Sequence, residues 1–209
     1  YLDYLEKHIH PKIEVLPPRF SATPRHRIEV LKGSIDDEVF NQIDKIEQEG
    51  REEQETNSSI LIIANTVKMA KKLYKDLLAR EKHIHKVNLL HSMFTYEDRN
   101  FKENDPKKGI LYTYRQNKIW ITTQMAEVSL NLDFDILVTE ISTVDSQVQR
   151  WGRVWRNKEG RPYTSQTPNI YIAAADPPSD KGSIYDTNVV NLTRQKLGKN
   201  WYIVICVTL

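Results

Sequence analysis

From Arg27 onward, apolar runs of four to six residues alternate with longer stretches of helical spacing. That alternation constrains the fold more than any other feature of the chain. A strand buried on both faces reads as a continuous apolar, β-branched run, and two parallel strands need a crossover long enough to hold a helix. Strands are therefore expected at Arg27–Leu31, Ile60–Asn65, Val87–Leu90, Ile119–Thr123, Asp135–Glu140, Ile170–Ala174 and Tyr202–Val207. Helices are expected at Asp36–Gln48, Thr66–Arg80, Thr95–Glu103, Asp145–Arg156 and Tyr185–Leu197, with Thr66 and Asp145 placed to cap. Asp37 and Glu38 suit the first turn of a helix, where the macrodipole favours acidic side chains, better than a metal-binding strand end. The fold class that follows is α/β, an open parallel sheet with helices on both faces in three layers. Ligands gather at the carboxyl ends of such strands, so the loops after Ala64, Leu90, Thr123 and Glu140 are where function is sought.

The 209 residues are enough to bury a sizeable core. The longest apolar runs, Ile60–Ala64 and Trp201–Val207, are far shorter than the roughly 20 residues of a membrane-spanning helix, so no membrane partner is expected. The chain opens Tyr1-Leu2-Asp3-Tyr4-Leu5-Glu6-Lys7, with charge where a secretory signal is apolar and with no initiator Met, as in a piece of a larger protein. The single cysteine, Cys206, forms no internal disulfide, and with six scattered histidines it makes no structural metal cage. A cytoplasmic, metal-free domain is the expectation, and the pairs His8/His10 and His83/His85 are not read as metal sites. Pro11, Pro17, Pro18 and Pro24 mark residues 1–26 as a linker arm ahead of one domain over 27–209. The Glu-rich stretch Gln48–Ser59 reads as a solvated helix end and loop. With 30 basic against 28 acidic side chains, global charge points to no nucleic-acid partner, and any such reading has to come from local chemistry.

The chain has no Gly-x-x-x-x-Gly-Lys-Ser/Thr loop to cradle phosphates and no His-Asp dipeptide of the kind that marks metal-dependent phosphohydrolases. Its informative segment is Asp145-Ser-Gln-Val-Gln-Arg-Trp-Gly-Arg-Val-Trp-Arg156. At about 100° per residue, a helix here places Val144, Val148, Trp151 and Trp155 on one stripe and Gln149, Arg153 and Arg156 opposite. One face packs, with both tryptophans read as core, while the other presents guanidinium groups. Gly152, a poor helix former between them, hints at close approach by backbone or ligand. Planar arginine forks match phosphate oxygens and stabilise charge on a transferred γ-phosphoryl group. The same array also suits a plain solvated basic helix.

Upstream lies Ile121-Thr-Thr-Gln-Met-Ala-Glu-Val-Ser-Leu-Asn-Leu-Asp-Phe-Asp135. These two stretches resemble motifs V and VI of superfamily 2 helicases and, more narrowly, the CRISPR-associated helicase-nuclease of type I systems. Ile60-Leu-Ile-Ile-Ala-Asn-Thr-Val-Lys-Met-Ala70 is similar to motif IV, Leu89-Leu-His-Ser-Met-Phe94 to the segment that follows it, and Ile184-Tyr-Asp-Thr187 to a later family pattern. Ser21-Ala-Thr23 looks like motif III but lacks the residues that normally follow it. Asn131 stands where the family usually has a second Asp.

The resemblance implies a RecA-like fold and a set of roles. Arg153 and Arg156 would be the catalytic arginines, reaching across a cleft to ATP. Gln149, Arg150, Gly152, Glu127, Ser129 and Asp133 would line the nucleotide side, with Asp133 on the ribose or holding an arginine. Asn65, Thr66, His91, Ser92, Thr122 and Thr123 would contact the backbone of single-stranded DNA, which positions without reading sequence. ATP and Mg would be held mainly by a first RecA-like domain outside this chain, so the chain alone is expected to be inactive as an ATPase. The other implied partners are an HD-type nuclease domain and an RNA-guided surveillance complex in antiviral defence. Two rivals stay open: a non-catalytic nucleic-acid-binding adaptor with a helicase-like fold, and another superfamily 2 motor acting on RNA.

Overall fold

The computed structural model describes residues 26–52, 58–80, 86–113, 116, 118–128, 131–156 and 167–197. Six strands form one sheet: β1 (Ile28–Leu31), β2 (Ile60–Ile63), β3 (Val87–Leu90), β4 (Ile119–Thr122), β5 (Ile136–Glu140) and β6 (Ile170–Ala173). Every pairing is parallel, in the order β1-β6-β5-β2-β4-β3. The expected strands are present with ends trimmed by a residue or two; Tyr202–Val207, with Cys206, lies outside the described residues, as do residues 1–25 with His8, His10 and Ser21–Thr23, and also His83 and His85. Seven helices are described: α1 (Ile35–Glu52), α2 (Val67–Leu78), α3 (Tyr96–Asn104), α4 (Ile110–Thr113), α5 (Met125–Val128), α6 (Val144–Trp151) and α7 (Thr187–Leu197).

Alternation along the strands divides the core into two layers. Ile60 and Ile62 of β2 pack with Val39 and Ile43 of α1 and Leu73 and Leu77 of α2. Their neighbours Leu61 and Ile63 face the other way, onto Trp120, Ala126 of α5, Trp151 of α6 and Val190 of α7. Burial on both faces explains why β2 is continuously apolar and β4 apolar up to its final Thr122, whereas β1, at one edge, is only half-buried. Thr66 caps α2 as expected, its hydroxyl accepting from the Met69 N–H at 3.1 Å. Asp36, Asp37 and Glu38 occupy the first turn of α1. No helix among the described residues is long and apolar enough to cross a membrane.

The α6 region departs from expectation. Thr143, not Asp145, holds the N-cap position, without a side-chain cap bond. Asp145 sits in the first turn, its carboxyl held below the usual aspartate range chiefly by a hydrogen bond from Thr143. The helix stops at Trp151 rather than running to Arg156, because a second pairing competes for the chain. The Arg153 and Val154 N–H groups close tight turns onto Arg150 and Trp151, and Val154 then forms a parallel bridge with Phe134. Trp155 follows in the left-handed region, φ 55°. Arg153 and Arg156 therefore project from a turn and a bridge beyond the helix, and the helical-wheel picture holds only as far as Trp151. Both tryptophans pack against the core layer, as expected. Gly152 takes an ordinary helical φ of −64°. A Cβ there meets only Gln149 and Val148 carbonyl oxygens at 3.4 and 3.6 Å, so close backbone approach within the domain does not explain this glycine.

Candidate nucleotide and nucleic-acid interface

The carboxyl edge of the sheet gathers one buried polar network from segments far apart in sequence. At its centre is Arg150, on α6 with no exposed side-chain surface. A guanidinium has five N–H donors, and all five are engaged. Nε bonds Glu127 Oε1 at 2.8 Å, forming a buried ion pair. Nη1 donates to Thr139 Oγ1 at 2.8 Å and to the Glu140 carbonyl at 2.9 Å. Nη2 donates to Asn65 Oδ1 at 3.1 Å and to the Tyr185 hydroxyl at 2.8 Å.

Asn65 follows β2 and is equally saturated. Its amide nitrogen reaches the Ile141 carbonyl at 2.8 Å and Asp180 Oδ1 at 3.0 Å, while its backbone N–H donates to Glu140 Oε2 at 2.7 Å. Its own carbonyl accepts from Gln124 Nε2 at 2.7 Å. Glu140 closes the circle by accepting from the Ser179 N–H at 2.5 Å and the Ser179 hydroxyl at 2.8 Å. Burial pushes the Glu140 carboxyl above its ordinary range, and these donors, with Arg150, oppose the shift. A buried network of this kind stabilises only when every member is satisfied, and its geometry meets that demand around Arg150.

Arg153 and Arg156 are placed differently. Both are only partly buried. An Arg153 Nη2 donor bonds the Glu127 carbonyl, so Glu127 holds Arg150 with its side chain and Arg153 with its backbone. Burial first, then the neighbouring Arg156 cation, pulls the Arg153 guanidinium below the ordinary arginine value, although such a group stays charged. The Arg156 backbone N–H donates to Asp133 Oδ1 at 2.6 Å, and its Nη1 to Asn131 Oδ1 at 2.8 Å. Asp133 thus holds this arginine's main chain, and Asn131 holds its side chain. Gln149 is exposed on the same helix end, and Gly152 is partly exposed. Ser129 lies outside the described residues.

The residues read as nucleic-acid contacts line the same edge but offer little side-chain surface. Asn65, His91, Thr122 and Thr123 are buried. Thr66 is half-buried in its cap, and Ser92 is exposed. His91 stacks on Phe94 with ring centroids 4.1 Å apart, its Nδ1 accepting from the Met93 N–H at 3.3 Å. Its pKa is lowered, first by burial and then by the Lys71 cation. Among the described residues no group of three His, Cys, Asp or Glu side chains is placed to hold a metal ion.

Sequence reasoning missed Thr139, Ser179, Asp180 and Tyr185 as members of the network. A carboxylate ending an apolar run, as Glu140 does, and the family likeness of residues 184–187, which include Tyr185, were the visible hints of buried polar partners at this edge. Arg150, read as a nucleotide contact, has every donor committed inside the domain.

Residues 56–159 match the family model described as CRISPR-associated nuclease/helicase Cas3, C-terminal. The CRISPR-associated nuclease/helicase Cas3 of Methanothermobacter thermautotrophicus is 36% identical over 157 residues, which is 75% of this chain and 17% of that protein. The crystal structure of T. fusca Cas3-ATP superposes with a TM-score of 0.64 at 22% identity, covering 91% of this chain and 24% of the other. A chain of the structure titled CRISPR RNA-guided surveillance complex, pre-nicking, gives a TM-score of 0.60 at 22% identity, covering 88% and 24%. The chain thus spans less than a quarter of the length of each of these proteins. With the motif IV to VI framework on one parallel sheet and these matches in sequence and fold, the chain belongs to the Cas3 nuclease/helicase family, as its C-terminal RecA-like helicase domain.

Proposed function

We propose that this domain is the second motor domain of an ATP-dependent single-stranded DNA helicase or translocase in CRISPR antiviral defence. The carrying observation is the contrast within motif VI. Arg150 is wholly internal, while Arg153 and Arg156, with exposed Gln149, stay at the surface and are held by main-chain and Asp133/Asn131 contacts. That is the arrangement a γ-phosphate donated from a facing domain needs: two preorganised guanidinium groups that reorganise little as charge develops.

ATP and Mg would then be held mainly by the first RecA-like domain, and the isolated chain would hydrolyse no ATP. Single-stranded DNA would cross the strand ends at Ser92 and Thr66 and over main-chain donors beside Asn65, Thr122 and Thr123, since those three side chains are internal. An HD-type nuclease domain and an RNA-guided surveillance complex are the proposed partners, in the cytoplasm; the surveillance-complex title of one similar structure supports this reading.

The test is ATPase turnover with single-stranded DNA in the full-length protein, comparing wild type with Arg153→Ala and Arg156→Ala. Turnover should fall by about 10³-fold in either variant with thermal stability retained. Unchanged turnover in folded variants would transfer the domain to the adaptor reading.

A further inference from the structure

We infer that the loop between β6 and α7, through Asp180 and Tyr185, is a positioning element for Arg153. The inference rests on the proposed nucleotide role of Arg153. The loop lies beyond the residues 56–159 that match the family model. It nevertheless supplies three side chains to the network centred on Arg150. Ser179 holds Glu140 with both its N–H and its hydroxyl. Asp180 is buried; Oδ1 accepts from Asn65, and Oδ2 accepts from the N–H groups of Tyr185 at 3.1 Å and Ile184 at 3.4 Å. Asp180 therefore fixes the backbone that carries Tyr185.

The Tyr185 hydroxyl accepts from Arg150 Nη2 at 2.8 Å and donates to Glu127 Oε1 at 3.2 Å, with Ser146 Oγ at 3.4 Å. The Arg150 guanidinium also lies 5.7 Å from the centroid of its ring. Each of these contacts bears on Glu127, whose carbonyl is the acceptor for Arg153. The chain of contact runs from Asp180 to Tyr185, through the Glu127 side chain and backbone, to Arg153. Only the last member is proposed to touch nucleotide, so Tyr185 acts by orientation. A displaced acceptor at Glu127 changes where the Arg153 fork points, and a small misplacement of a charged donor is costly in a transition state and less so in binding.

The test uses the full-length protein with single-stranded DNA, measuring kcat and KM for ATP in wild type, Tyr185→Phe, Arg153→Ala and the double variant, each checked by thermal melting. Tyr185→Phe should lower kcat about tenfold with KM within about twofold, as expected when a neutral hydroxyl that hydrogen-bonds two charged groups is removed and the Arg153 fork it orients is misplaced. In the Arg153→Ala background it should change kcat by less than about twofold, because the residue it acts through is gone. A merely structural role predicts equal loss in both backgrounds. Should Tyr185→Phe melt early, Asp180→Asn gives the same readout through the loop backbone. Wild-type kcat in a folded Tyr185→Phe, or full multiplication with Arg153→Ala, would overturn the inference while leaving the motor reading intact. An Arg153→Ala protein at wild-type turnover would overturn both.

Discussion

Arg150 and Arg153 are three residues apart in one motif and share Glu127 as a partner, yet they occupy opposite regimes. Arg150 is internal, with five donors on five acceptors, and its energy is tied to the fold. Arg153 lies past the helix end and is held to the Glu127 main chain, partly exposed beside a second cation. The difference comes from where α6 stops. A helix continued to Arg156 would have kept the two on one rigid cylinder; the bridge between Phe134 and Val154 instead separates an internal region from a presenting one. A run of arginines within one motif is therefore not one structural unit, and its members divide by burial.

The sharpest way to break that comparison is Arg150→Ala. It leaves the Glu127 carboxylate buried without its cation and orphans Asn65 Oδ1, so it should cost about 3–5 kcal/mol of stability and abolish turnover through unfolding. Denaturant melts of the full-length protein measure this, and a fully stable Arg150→Ala protein would erase the distinction from Arg153→Ala, which is expected to lose turnover while folded.

Gly152→Ala probes the boundary between the two regions. The structure accommodates the added Cβ, so stability should stay within about 0.5 kcal/mol of wild type in a thermal melt. A larger loss would mean that the turn after α6 tolerates less than its geometry indicates.

A small effect is also expected far from the site, at the Lys72–Asp36 pair on the surface of α1 and α2. Lys72→Ala should cost less than about 1 kcal/mol, because Lys72 is 52% exposed. Asp36 is lowered chiefly by the Lys72 hydrogen bond, so its contribution is complete above the ordinary aspartate range and lost as the pH falls through its lowered value. Lys72 is raised by the same partner, so its contribution is complete below the ordinary lysine range and lost as the pH rises through its raised value. The gap between wild type and Lys72→Ala should therefore hold across neutral pH and close in acid, in melts from about pH 7 to 2.

The layered fold was legible because its cause is local. Ile60–Ile63 and Ile119–Thr122 announce two-sided burial in four residues each, and Thr66 announces a helix start. Arg153 and Arg156 stood out through a motif resemblance, and their proposed role is what the turnover test addresses. What stayed hidden was long-range. Tyr185 is 35 residues from Arg150, and Asp180 is 115 from Asn65, separations at which no periodicity or spacing rule operates. The premature end of α6 was hidden for a similar reason, since its competitor is Phe134, on another segment.

The outermost pairing of the sheet has a consequence in time. β1 lies against β6, and the Arg27 N–H bonds Asn169 Oδ1 across 142 residues of chain. A ribosome adding roughly 5–20 residues per second takes on the order of 10 s to make that interval. Throughout it, β1 has been synthesised but β6, its partner among the described strands, has not. The first of the described strands is thus among the last to be sealed, and the register of Ile28 against Ile170 is the step at which that edge of the sheet is completed.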